Sequence, residues 1–235
     1  SYILDAYKLT LLKKGNLTNN NKIVWKNFQY FINLLSNQEE KYFKLEHNKR
    51  EKMSLKIDKN SIEEKDRYLN LPLINRRKEI YINPNEEGWE KRYYNVLFQL
   101  ENNENNIKNI VYNYLEGLEW TLKYYTTGCV DWEWYYKYNY PPLLNDIKPF
   151  IPYFDIEFLE DKNNNPINSQ LQLAYVLPFD NIDLLHKNTQ KKMLLIIEDS
   201  RDDINLEYSY CRYIWESHLI GNFLNLKELK KIVET

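Results

Sequence analysis

The sequence predicts a mainly α fold: an irregular multi-helix domain with proline-rich loops and little β structure. Between Ile107 and Tyr125, apolar residues recur at i, i+3, i+4 and i+7, which is helical spacing. Two shorter stretches near the start show similar spacing. Pro141 and Pro142 then open a proline-punctuated segment whose apolar residues follow no regular period.

In chain order, YILDAYKLTLL places Tyr2, Ile3, Ala6, Tyr7, Leu9 and Leu12 near helical spacing, and Lys14 and Gly15 mark its end. After the turn GNLTNNNK, a second helix carries Trp25, Phe28, Phe31, Ile32 and Leu35 on one face, so the pair is expected to form a helical hairpin. From Lys44 to Lys65 the chain is rich in Lys, Glu and Asn. Residues 44–65 are therefore read as a solvated helix extension or a mobile linker, a charged insertion within a single domain spanning 1–235. Pro84 and Gly88 signal a turn, with a helix beginning near Trp89. The 107–125 helix is expected to be central, because Tyr112, Trp120 and Tyr124 lie off its apolar stripe and extend coverage to another face. Further on, SQLQLAYV reads as a helix, a proline break follows, and a short helix starts near Asp180. KKMLLIIEDSRDD contributes a short apolar run, and a last helix ends the chain with Asn222 or Asn225 as its N-cap.

The bulk numbers exclude some roles. A formal net charge of −2 gives no basic field that would by itself draw the molecule onto nucleic acid, so any such role must be local or shared. An aromatic content of 15%, with 21 Tyr and 6 Trp, argues for a folded chain. Cys129 and Cys211 make neither a disulfide framework nor a zinc site, which suits a reducing intracellular setting. No apolar run reaches the roughly 20 residues that span a bilayer, so no membrane partner is expected. His47, His186 and His218 stand far apart and read as surface or capping residues.

The segment Gly128–Ile147 concentrates the chemistry. If extended, it alternates Trp132, Trp134, Tyr136, Tyr138 and Tyr140 on one face with Asp131, Glu133, Tyr135, Lys137 and Asn139 on the other. Such an aromatic ladder is either the spine of a core or a platform for stacking bases. The acidic group Glu198, Asp199, Asp202 and Asp203 follows an apolar run, a layout nucleases use, but it reads more simply as an exposed loop. Arg76, Arg77 and Lys78 read as solvated linker; Lys91 and Arg92 are possible phosphate contacts, with a structural ion pair as the competing role for Arg92.

The stretch YLEGLEWTLKYYTTGCVDWEWYYKYNYPPLLNDI from Tyr114 resembles the second conserved, helical half of the XRN family of 5′→3′ exoribonucleases. GWEKRYYN from Gly88, the first two helices, QLAYVLPFDNIDLL and IWESHLIGNFLNLKELKKI are similar to further family segments in the same order. The resemblance implies a domain that is not catalytic alone, and it assigns no catalytic or metal-binding residue to this chain. The family's nuclease centre binds two Mg2+ ions with Asp and Glu residues of a preceding α/β half. This chain is expected to lack that half and to meet it in cis or as a separate chain.

In the family, the helical half braces the nuclease domain and lines the RNA channel, where an aromatic residue stacks on the 5′-terminal bases. That implies Trp132 or Trp134 as the stacking group, with Trp132 favoured, and single-stranded 5′-monophosphorylated RNA as partner. An intracellular location is implied, the cytoplasm favoured over the nucleus. Where the family pattern reads P-S-W-S-W, Asp131 and Glu133 place carboxylates beside the tryptophans, and carboxylates repel phosphate unless neutralised. A structural or interaction protein that retains the fold without RNA degradation is the alternative.

Overall fold

A computed structural model describes residues 2–52, 73–160, 162, 165–200, 205–220 and 226–233. The fold is mainly α. Residues 1–164 with 209–214 form one compact unit, and 165–208 with 215–235 form a second.

The first unit begins with α1 (Tyr2–Lys14), whose end is marked by Gly15 at φ +94°, a conformation that disfavours side chains. A minimal antiparallel hairpin, β1 (Thr18–Asn19) and β2 (Lys22–Ile23), leads into α2 (Trp25–Ser36). As expected, α1 and α2 pack together, and α2 buries Trp25, Phe28 and Ile32. Helix α1 buries little of its apolar surface. Only Ala6 and Thr10 are buried, while Ile3 is 61% and Leu12 is 82% exposed. Apolar residues surround α1 on nearly every side, and the positions it buries are its small ones.

Next come α3 (Glu39–Glu51), α4 (Arg77–Ile82), α5 (Trp89–Leu97) and α6 (Glu104–Thr126). Helix α5 starts at the predicted residue, preceded by Gly88 at φ +76°. Asn103 caps α6 by accepting the Asn106 N–H, and its 23 residues make a rod of about 35 Å. Two hydrophobic clusters meet on α6. Ile110 joins Ile82, Trp89, Tyr93, Tyr94, Leu97, Tyr140 and Leu143, whereas Val111 and Leu115 join Trp25, Phe28, Ile32, Ile147 and Ile151. The expected central position of this helix is thus borne out.

The first part of the charged stretch is the expected helix extension, mostly exposed but with His47 and Arg50 buried. Its segment 44–51 continues α3, and Arg50 is 3% exposed beside Glu79, itself 2% exposed. The guanidinium forks onto that carboxylate, with Nε 2.8 Å from Oε2 and Nη2 2.7 Å from Oε1, and Nη2 also donates to the Cys211 carbonyl. Glu79 Oε1 accepts the Tyr210 N–H as well. The pair links α3, α4 and the segment 209–214. Arg76, expected to be solvated, has a side chain only 9% exposed and lies 3.9 Å from Glu79. His47, expected at the surface, is 4% exposed because α3 turns it inward with Arg50. The remainder of the predicted linker, 53–65, lies outside the described residues.

A second charged network fixes the far end of α6. Lys123 Nζ sits 2.7 Å from Glu119 and 2.8 Å from Glu157, which also pairs with Lys22 at 2.7 Å. Glu119 Oε2 accepts the Phe158 N–H. Hydrogen bonds from Lys123 and Lys22 hold the Glu157 carboxyl at about 2, against the usual 4.5. A carboxyl whose pKa is depressed by folding stabilises the protein above its unfolded pKa, and that contribution is lost as pH falls through its folded one. The window here runs from about pH 4.5 down to about 2. Urea titrations at about pH 6 and pH 3 are expected to show a smaller acid-induced loss for Glu157→Gln than for the parent. The difference stays within about 1 kcal/mol, because Glu157 is half exposed. Equal losses would show that the network adds nothing.

The second unit contains α8 (Ser169–Val176), a 3-10 turn (Phe179–Leu184), α9 (Lys187–Ser200) and α10 (Leu226–Val233); α7 (Leu144–Ile147) belongs to the first. Leu171, Ala174, Leu185, Met193 and Leu229 form its core. Strands β3 (Asn205–Glu207) and β4 (His218–Ile220) pair antiparallel, with Leu206 opposite Leu219. The KKMLLII run is part of α9. The candidate caps Asn222 and Asn225, like Asp202 and Asp203, lie outside the described residues, as do the side chains of Glu198 and Asp199.

Candidate nucleic-acid interface

Helix α6 presents Glu116, Trp120 and Tyr124 at intervals of four residues, so the three share one face. The aromatic segment after Gly128 packs there. Trp134 stacks on Trp120 with ring centroids 5.7 Å apart and planes 22° apart. Trp120 in turn stacks on Tyr124 at 5.1 Å and 13°. The series ends at the surface, where Tyr124 is 44% and Tyr125 81% exposed.

The glycine in the middle of α6 is explained by this arrangement. A Cβ at Gly117 would fall 2.7 Å from Trp134 Cη2, well inside van der Waals contact. Glycine inside a helix costs about 0.5–1 kcal/mol relative to alanine, and here it clears the space the indole occupies. Trp134 Nε1 points to Glu116 Oε2 at 3.4 Å, and Asn113 donates to the same oxygen at 3.0 Å. Asn113 Oδ1 accepts the Lys137 N–H, which ties the aromatic segment to the helix a second time.

The expected ladder holds for Trp134, Tyr136, Tyr138 and Tyr140, which turn inward while Tyr135, Lys137 and Asn139 are exposed. Tyr136 donates to the Tyr140 carbonyl, and Tyr140 to the Ser209 carbonyl. The alternation fails at Trp132. Asp131 is 1% exposed and Trp132 38% exposed, the reverse of the expected sides, because the chain turns at this point. Asp131 Oδ1 accepts the Glu133 N–H at 2.9 Å, an Asx turn with Trp132 at its apex.

Asp131 is also not the free carboxylate that its position beside the tryptophans suggests. Lys162 Nζ lies 2.7 Å from Asp131 Oδ2, and the hydrogen bond to Asp131 raises the lysine pKa. Two more bonds fasten the turn: Lys162 N–H donates to the Val130 carbonyl, and Trp120 Nε1 donates to the Asp131 carbonyl at 2.9 Å. Sequence reasoning missed Lys162, since 31 residues separate it from Asp131 and no motif marks it.

Lys91 is exposed on α5. Arg92 donates to the carbonyls of Ile82, Asn83, Glu86 and Glu87, holding the turn ahead of α5. Its structural partners are therefore carbonyls rather than a carboxylate. Among the described residues, no group of three His, Cys, Asp or Glu side chains comes together to hold a metal ion, so they do not fit a two-metal centre. No helix among these residues is long and apolar enough to cross a membrane.

A family model described as the Xrn1 helical domain matches residues 75–232. The chain is 28% identical over 154 residues to 5′-3′ exoribonuclease 2 of Gallus gallus, covering 63% of this chain and 16% of that protein. It is 29% identical over 145 residues to a 5′-3′ exoribonuclease 2 homolog of Caenorhabditis elegans, covering 60% and 15%. With 5′-3′ exoribonuclease 2 of Schizosaccharomyces pombe the figures are 33% over 120 residues, 51% and 11%. The match thus spans less than a fifth of each of these relatives.

Proposed function

The chain belongs to the Xrn1 helical-domain family, and on that premise we propose that it is the helical part of a 5′→3′ exoribonuclease, not catalytic alone, lining the path of single-stranded RNA. The observation that carries this reading is the half-exposed Trp132 at the apex of a tied turn, beside the stack of Trp134, Trp120 and Tyr124. A base stacked on an aromatic ring gains about 1–3 kcal/mol without regard to its identity, which suits an enzyme that must pass any sequence.

Within this reading Trp132 meets the 5′-terminal bases. Trp134, with its ring against Gly117 and Trp120, contributes the wall behind it. Lys91 is the proposed phosphate contact; Arg92 joins it with at most the hydrogen its carbonyl bonds leave over. The RNA carries a 5′ monophosphate, and an XRN-type nuclease domain, in cis or as a separate chain, supplies Mg2+ and the hydrolytic carboxylates. Ile3, Leu4, Tyr7 and Leu12 form an exposed apolar surface on α1 that supports a bracing role. That surface equally favours the second reading, an interaction protein that keeps the fold without RNA degradation. The setting is intracellular, which Cys129 and Cys211, neither of them in a disulfide, suit.

Incubating the chain with Mg2+ and 5′-monophosphorylated RNA is expected to leave the RNA intact over the time in which an added XRN-type nuclease domain degrades it. Degradation by the chain alone would overturn the claim that it is not catalytic by itself.

A further inference from the structure

We infer that Asp131 is a positioning residue for Trp132: its carboxylate holds the turn that presents the indole, and Lys162 both straps that turn and neutralises the Asp131 charge. The inference rests on the reading of Trp132 as a stacking group and adds to it the residues that make such a group usable.

Four observations point the same way. The carboxylate is almost fully buried, and its two oxygens have separate tasks, Oδ1 accepting the Glu133 N–H and Oδ2 the Lys162 ammonium. The backbone leading into the turn is tied as well, by Lys162 N–H to Val130 O and by Trp120 Nε1 to Asp131 O. Lys162 keeps 63% of its side chain exposed while Asp131 keeps 2% of its own, so the Asp131 charge is covered by an exposed ammonium, and of the two carboxylates flanking Trp132 only that of Glu133 is exposed. Finally, the turn reverses the alternation of the ladder. Without it, Trp132 would fall on the inward side with Trp134 and Tyr136, and Asp131 would face the RNA.

A rigid, pre-oriented ring binds a base more tightly than one that must be ordered on contact. The acid at position 131 is therefore a support for binding, not a sign that binding has been lost.

The test uses the full chain and a single-stranded RNA oligonucleotide whose 5′-terminal base is 2-aminopurine, which loses fluorescence when stacked. Trp132→Ala is expected to weaken binding about 5- to 150-fold and to abolish the quench. Asp131→Ala is expected to do the same, and the double variant is expected to bind no more weakly than either single one. Asp131→Asn, which keeps an oxygen for the Glu133 N–H, is expected to restore most of the quench. A mere folding role for Asp131 would not make its effect vanish in the Trp132→Ala background.

The inference is overturned if Asp131→Ala binds and quenches like the parent, or if its loss multiplies with that of Trp132→Ala. Should Asp131→Ala fail to fold, Lys162→Met is read by the same criterion. If Trp132→Ala itself binds like the parent, the stacking reading fails first and this inference falls with it. If Trp132→Ala binds weakly and Asp131→Ala does not, only the inference about Asp131 is lost.

Discussion

Replacing Arg50 with Ala is expected to destabilise the 1–164/209–214 unit by about 3–5 kcal/mol, the largest effect of any single substitution proposed for it. The guanidinium is 3% exposed and bonded to both oxygens of Glu79 and to the Cys211 carbonyl. Its removal strands a buried carboxylate whose other partners include the Tyr210 N–H and the more distant Arg76. An uncompensated charge in such a place costs several times what the pair contributes net, because the two partners offset each other's desolvation. Replacing both partners together, as Arg50→Met with Glu79→Leu, is accordingly expected to cost much less than Arg50→Ala. Urea denaturation checks both; a loss below about 1 kcal/mol for Arg50→Ala would mean that solvent reaches the pair.

The second large effect is expected at Gly117. In an open helix, Gly→Ala stabilises by about 0.5–1 kcal/mol through backbone entropy alone. Here the new methyl would lie 2.7 Å from Trp134 Cη2, and the indole cannot simply swing away, being stacked on Trp120. Overpacking of this kind costs about 1–3 kcal/mol, which outweighs the helix gain. Gly117→Ala is therefore expected to lower stability and to shift tryptophan fluorescence as Trp134 is displaced. Pairing it with Trp134→Ala is expected to remove the steric part of the penalty. A stabilised Gly117→Ala variant would show that the ring has free space to move into.

Much of this architecture was legible in the sequence where a pattern had only one reading. The 107–125 stripe admitted one helix, and α6 has the predicted central place with a cluster on either side of it. Helix α1 was legible as a helix but not in its orientation. Its apolar residues nearly encircle it, and burial fell to Ala6 and Thr10, where small side chains face the neighbouring helix.

Charges give no local signal where their partners lie far along the chain. Arg50 finds Glu79 29 residues away, so a run of alternating sign looked solvated throughout. The same limit hid Lys162, which pairs with Asp131 across 31 residues. Gly117 does carry a signal, since a glycine within a strong helical stripe implies close approach by another group. The reversal at Trp132 could not come from a period of two, because a single Asx turn resets which side each residue faces.

The central claim is that this chain lines an RNA path with Trp132, on a wall built by Trp134. The measurement that tests it most directly is the affinity of the folded chain for single-stranded RNA, compared among the parent, Trp132→Ala and Trp134→Ala at matched salt. Each substitution is expected to weaken binding about 5- to 150-fold, irrespective of base sequence. Unchanged affinity in both variants, or no measurable RNA binding by the parent even with the nuclease domain added, would contradict it and leave the interaction-protein reading in its place.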